Sequence, residues 1–164
     1  MKKNILTIIL LSIILFGCSI ANSPTSKTEE LLSNYQRLDE NIIISYTDLI
    51  TDITIDEDLK NNYNDLIKDQ YQNLSYEIKE EVVDGNTAVV TTSIDVLDYK
   101  KVINKYNKND YPLNKYHELI IEDLKKAKTK VTYTIEFTLT KDNKNNWKMD
   151  NLSNEQKQKL LGIY

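Results

Sequence analysis

At Ser75 the spacing of apolar residues changes from three and four to two, and that change limits the class of fold open to this chain. Before it, the spacing is helical. Leu31, Leu32, Tyr35, Leu38 and Ile42 begin one stripe, and Ile43, Tyr46, Leu49, Ile50 and Ile53 extend it. Ser26 to Glu29 fits a capping box at its start, the hydroxyl taking the N3 amide and the glutamate returning to the cap amide. Thr54 to Glu57 fits a second box, ahead of Leu59, Tyr63, Leu66, Ile67, Gln70, Tyr71 and Leu74. After Ser75, the residues Tyr76, Ile78, Glu80 and Val82 alternate with polar ones, and Asp84-Gly85 is a hairpin turn signal. On the return strand Ala88, Val90, Thr92, Ile94 and Val96 form the more apolar face, predicted to meet the core. Val89, Thr91, Ser93, Asp95 and Leu97 form the other.

Residues 98–127 interrupt the sheet with helical spacing. Tyr99, Val102, Ile103 and Tyr106 suggest a short helix, residues 107–112 a turn, and Leu113, Tyr116, Leu119, Ile120, Leu124 and Ala127 a second helix. Strand alternation resumes at Val131, Tyr133, Ile135, Phe137 and Leu139, with polar residues between them as in a sheet wet on one face. Residues 142–146 read as a turn, Trp147 and Met149 as a last strand, and Ser153 to Gln156 as the cap of a closing helix stopped by Gly162. The expected architecture is α+β: N-terminal helices on a curved antiparallel sheet, with a helical insert between two hairpins. Trp147 is expected in the core with Phe137, Leu31 and Tyr35.

The start of the chain constrains location. Lys2-Lys3 precedes an apolar run from Ile5 to Phe16, followed by Gly17 and Cys18. The run is too short for a membrane-spanning helix, which needs ~20 residues, and suits a signal-peptide core. Leu15-Phe16-Gly17-Cys18 reads as a bacterial lipoprotein signal, from which Phe16 departs because a small or β-branched residue is usual there. Residues 1–17 are then a signal peptide, 18–25 a small, polar tether behind a lipidated Cys18, and 26–164 one domain carrying the 98–127 insert. Cys18 is the only cysteine, so no disulfide and no thiolate metal site is expected, and packing alone must hold the fold. Two acyl chains would anchor it stably.

The formal charge is −4, and −6 without residues 1–17, which carry two lysines and no acid. Acids and bases are interspersed. That speaks against nucleic acid and against lipid contact beyond the anchor.

The order of elements, with Pro24-Thr25 opening the first helix, Tyr76 to Val90 around Asp84-Gly85, and Trp147 to Asp150, resembles a small Gram-positive lipoprotein of the nuclear transport factor 2-like, or cystatin-like cone, superfamily. The resemblance covers about residues 24–152. It implies a curved sheet wrapping a long helix around a cone-shaped cavity. That superfamily holds isomerases, dehydratases and non-catalytic binding modules, so the fold alone does not choose among them.

His117 is the only histidine, hence the only side chain with an unperturbed pKa near neutrality. It is expected as a partly buried helix residue titrating near ~6.5. As a catalyst it would need a carboxylate or tyrosine within hydrogen-bond reach. Asp95, at the end of the second strand, could act as a buried base but reads better as solvated and ionised. Asp56, Glu57 and Asp58 suit a helix N-terminus rather than a cation. The 142–146 segment lacks the glycine and terminal glutamate of a calcium loop. Eleven tyrosines are many for this length, and Tyr35, Tyr63 and Tyr71 fall on helix faces that meet the sheet. Together with Asp95 and His117 they form the candidate ligand-binding set. No catalytic motif, metal site or cofactor is expected. The sequence reads as an extracytoplasmic, lipid-anchored domain that binds another envelope protein or a small apolar or peptide ligand. The alternative is a cone-fold isomerase- or dehydratase-like enzyme using Asp95 or His117 as general acid/base.

Overall fold

The structure, a computed structural model, describes residues 22–164. Residues 1–21, on which the expected signal peptide, the lipidation of Cys18 and most of the expected tether fall, lie outside the described residues.

Helix α1 spans Pro24–Arg37 and begins earlier than the stripe suggested. Ser23 is its cap. The Ser23 hydroxyl accepts from the Ser26 amide at 3.0 Å, and the Ser23 amide donates to the Ser26 hydroxyl at 3.1 Å. The box is therefore Ser23–Ser26 rather than Ser26–Glu29. Pro24 explains the shift, because its fixed φ and missing N–H suit the first turn. Residues 22–25, assigned to the tether from sequence, belong to the fold: Thr25 donates through its amide and hydroxyl to the Glu81 carboxylate at 2.9 and 2.7 Å.

The predicted extension of this helix to Ile53 does not form. Leu38 closes α1 in the left-handed region at φ 53°, and the next regular element is a single 3-10 turn at Tyr46–Asp48. The Asp39 carboxylate accepts from the Asn41 amide at 3.1 Å, a local bond that competes with helical pairing. Ile43 is 86% exposed and Ile53 66% exposed, whereas Leu49 reaches the core. Helix α2, Glu57–Gln72, buries the predicted face: Leu59, Tyr63, Leu66, Ile67, Gln70 and Tyr71. Its cap is Asp56, not Thr54.

Strands β1 (Ser75–Asp84), β2 (Thr87–Leu97), β3 (Lys130–Lys141) and β4 (Trp147–Met149) pair antiparallel in the order β1-β2-β3-β4. Gly85 sits at φ +59° in the β1–β2 turn, a conformation for which glycine has no Cβ penalty. On β2 the predicted face is buried throughout, from Ala88 to Val96. On β1 the alternation breaks, because a bulge between Ile78 and Glu80 shifts the register and leaves Val82 and Val83 53% and 50% exposed.

The insert forms α3 (Tyr99–Ile103), a 3-10 turn at Lys108–Asp110, and α4 (Leu113–Lys125). The buried face of α4 is His117, Ile120, Ile121 and Leu124: Ile120 and Leu124 belong to the predicted stripe, while His117 and Ile121 join them and Leu113, Tyr116 and Leu119 are only partly buried. Helix α5, Asn154–Leu160, carries the Ser153–Gln156 box read from sequence. Gly162 ends it at φ +70°, where a Cβ would lie 2.0 Å from the Leu97 carbonyl oxygen.

The architecture is α+β, as its sequence implies. Helix α1 lies against β1, β2 and β4; α2 touches α1 and α4; α3 packs on α4. Helix α5 guards the part of the β3 edge that the short β4 leaves unpaired. Gln156 Nε2 donates to the Glu136 carbonyl at 2.6 Å, and Lys159 Nζ to that of Thr134 at 3.1 Å. One apolar cluster runs through all layers, with Tyr63, Ile67, Ile94, Ile120, Ile135 and Phe137 fully buried in it.

Thr92 is the polar exception on the buried face of β2, and its hydroxyl has no hydrogen-bond partner. Thr92→Val keeps the shape and removes an orphaned polar atom, so it is expected to stabilise the fold by ~1 kcal/mol. Urea denaturation checks this; a lower midpoint would mean that the hydroxyl has a partner.

Candidate functional site

The candidate residues read from sequence do not converge on one site. Tyr63 and His117 meet inside the molecule, Tyr35 and Tyr71 meet at a surface recess, and Asp95 stands apart from both.

His117 is 1% exposed. Its Nδ1 lies 2.8 Å from the Tyr63 hydroxyl, and its Nε2 lies 3.0 Å from the Asp52 carboxylate. Asp52 also pairs with Lys108. An ionised Asp52 can only accept, so Nε2–H donates to it, and in the neutral ring Nδ1 accepts from Tyr63. Four segments supply this chain: Tyr63 from α2, His117 from α4, Asp52 from the 38–56 loop and Lys108 from the insert turn. The Lys108 ammonium holds Asp52 below the usual carboxylate range, with the hydrogen bond from His117 contributing less. Both partners that acid/base work requires are present, but each ring nitrogen is already engaged. The arrangement fastens the insert and the loop to α2.

The expectation that His117 titrates near its ordinary value is corrected. Burial lowers its pKa below 6.5, opposed by Asp52 and reinforced by the positive Lys108. The ring is therefore neutral in the fold where the unfolded chain would already bind a proton. Stability is fully present above 6.5 and is lost as pH falls from there through the depressed folded value. The contribution of Asp52 is lost only below its ordinary 3.8, a separate window. Urea midpoints measured across the upper window should fall with pH for the native chain and much less for His117→Gln. Equal slopes for the two proteins would refute this role for the imidazole.

The Tyr35 and Tyr71 rings are tilted 59° to one another, with centroids 4.6 Å apart. They line a recess of about 200 Å³ with Asn41, Ile42, Asp48 and Lys157. Burial, and then the nearby Asp48 charge, raise the pKa of Tyr35 above its ordinary value, so its phenol stays protonated at neutral pH. Asp95 lies on the outer face of the sheet, where it accepts from the Thr132 hydroxyl at 2.5 Å. No cavity gathers around it with the tyrosines.

A larger recess, about 680 Å³, was missed in the sequence. Its apolar floor is Leu31, Trp147 and Met149, and its rim includes Asn22, Asn34 and Lys148. Asn22 builds one wall: its Oδ1 accepts from the Trp147 amide at 3.1 Å, and its Nδ2 donates to Asn146 Oδ1 at 3.4 Å. The β3–β4 turn builds the other through Asp142, whose Oδ1 accepts from the amides of Lys144 and Asn146 at 2.8 and 2.9 Å. The rim charges are paired, Lys27 with Glu30 at 2.6 Å and Lys148 with Asp142 at 3.5 Å. The volume falls in the ligand-pocket range of ~300–1,000 Å³. An apolar floor with a self-satisfied polar rim suits an apolar body bearing few charges. Trp147 was the available sequence signal, but it reads as core. The recess beside it arises from the packing of Asn22 and the first turns of α1 against the β3–β4 hairpin.

Among the described residues, no group of three His, Cys, Asp or Glu side chains is arranged to hold a metal ion. No protein-family model, curated protein or solved structure matches this chain.

Proposed function

We propose that this chain is an extracytoplasmic lipoprotein, anchored through Cys18, whose folded domain binds an apolar peptide segment of another envelope protein without catalysing a reaction. The observation that carries the binding reading is the recess over Leu31, Trp147 and Met149, an apolar-floored opening beside Asn22. Asn22, on its rim, follows Cys18 by four residues, so the recess would face partners at the membrane surface. The buried engagement of His117 and the open setting of Asp95 favour binding over the acid/base alternative. A domain of the cone type remains part of this reading, with its cavity filled by side chains.

Two experiments test it. Labelled fatty acid should enter the native chain and not Cys18→Ser, which should remain uncleaved or be released from membranes. Equal incorporation would remove the lipoprotein reading. Trp147 is the sole tryptophan, so its emission reports on the recess directly. Peptides with large apolar side chains should shift that emission, and Leu31→Glu should abolish the shift. Saturable shifts by small apolar molecules but not peptides would change the ligand class. No shift by either would remove the recess as the binding site.

A further inference from the structure

We propose that the end of the sheet formed by the β1–β2 hairpin tip and the β3–β4 turn is a membrane-facing surface, with Val82 and Val83 resting in the headgroup layer of the bilayer. This rests on the anchoring of Cys18.

Three segments meet at this end. The Lys141 amide donates to the Asn86 carbonyl at 2.9 Å, joining the two turns side by side. Asn22 donates to the Asn145 carbonyl and the Asn146 side chain at 3.5 and 3.4 Å, and Thr25 is tied to Glu81 of β1. The folded chain therefore starts between the two hairpins. From Cys18 to Asn22 is four residues, a reach of at most ~14 Å from an acylated thiol. A domain held that closely puts its nearest turns at the lipid headgroups.

The side chains at this end suit that position. Val82 and Val83 are consecutive on an edge strand, so they project to opposite faces, yet both are half exposed. The preceding part of β1, Glu77 to Glu81, is charged at four of its five positions and suits water. Lys141, Lys144 and Lys148 surround the β3–β4 turn, but Glu81, Asp84, Asp142 and Asp150 stand among them, so charge at this end does not favour the bilayer and the case rests on the valine pair and the short reach from Cys18. Overall charge argues against lipid contact beyond the anchor; the valine pair beside the tether argues for it locally. The opposite end of β3, at Lys130, lies about 35 Å away along a strand of twelve residues.

Cys18 is the only cysteine, and acylation blocks its thiol, so one new cysteine can be labelled uniquely. The full chain would be made in a bacterium that acylates it. It would carry Lys144→Cys or Lys128→Cys with a maleimide fluorophore and be reconstituted into phosphatidylglycerol–phosphatidylcholine vesicles bearing a nitroxide on the headgroup. The label at position 144 should be strongly quenched, and that at 128, near the far end of β3, should not. Adding Val82→Asp and Val83→Asp should relieve the quenching at 144. Equal quenching at the two positions, or quenching at 144 that ignores the valine changes, would overturn the surface and leave the anchor intact. So would absent quenching in a chain whose mass shows acylation and which floats with vesicles. A chain whose Cys18 is unmodified and which does not float would overturn the anchoring and this surface together.

Discussion

Trp147→Ala should lower the free energy of unfolding by ~3–5 kcal/mol, a large part of the margin of a domain this size. The indole is 7% exposed although β4 is only three residues long. It forms the floor of a recess with Leu31 from α1, so its loss would open a cavity between helix and sheet. The Lys141 ammonium, 4.7 Å from the ring centroid, adds a smaller cation–π contribution. Tyr35, expected beside the tryptophan, instead packs on Tyr71. Because the variant has no tryptophan, unfolding would be followed by far-ultraviolet circular dichroism in urea. An unchanged midpoint would show that the surroundings collapse onto the gap, or that the indole is not a core group.

Gln70→Met should be comparably severe, at ~3–5 kcal/mol, although it preserves volume and removes no apolar surface. The Gln70 carboxamide is fully buried. Its Nε2 donates to the carbonyls of Leu97 and Leu161, each at 2.8 Å, and its Oε1 accepts from the Leu97 amide at 3.0 Å. One side chain thereby closes the end of β2, the last turn of α5 and α2 around the same point. Methionine would leave three backbone groups without partners and out of reach of water. Gln70→Glu separates hydrogen bonding from volume: at neutral pH it can accept from the Leu97 amide but cannot donate to either carbonyl. It should therefore be as destabilising as methionine, and should recover part of the loss in acid as its carboxyl gains a proton. A stable methionine variant would show that the three backbone groups find other partners.

Where one period runs cleanly, the sequence is a reliable guide to the element. The buried face of α2 from Leu59 to Tyr71, the alternation along β2 and β3, the Asp84-Gly85 turn and the Ser153–Gln156 box all follow from neighbours in the chain. Where apolar residues merely continue, the sequence misleads. Ile42 to Ile53 keep a helical spacing, but left-handed Leu38 and the Asp39–Asn41 bond end the helix first. On β1 the bulge at Lys79 reverses the alternation, exposing Val82, and no local signal announces it.

The sequence by itself determined the α+β class, the order of the elements and the expectation of an anchored N-terminus, because these depend on periodicity and on residues close together in the chain. Tertiary structure decided the chemistry. His117 was visible as a lone histidine on a helix; that Tyr63 and Asp52, 54 and 65 residues away, would occupy its two nitrogens was not. Nor was the recess at Trp147 legible, since one of its walls is Asn22, 125 residues distant. Hydrogen bonds and recesses of this kind are set by how whole elements pack, and a single sequence records its own spacing but not which distant surfaces will meet.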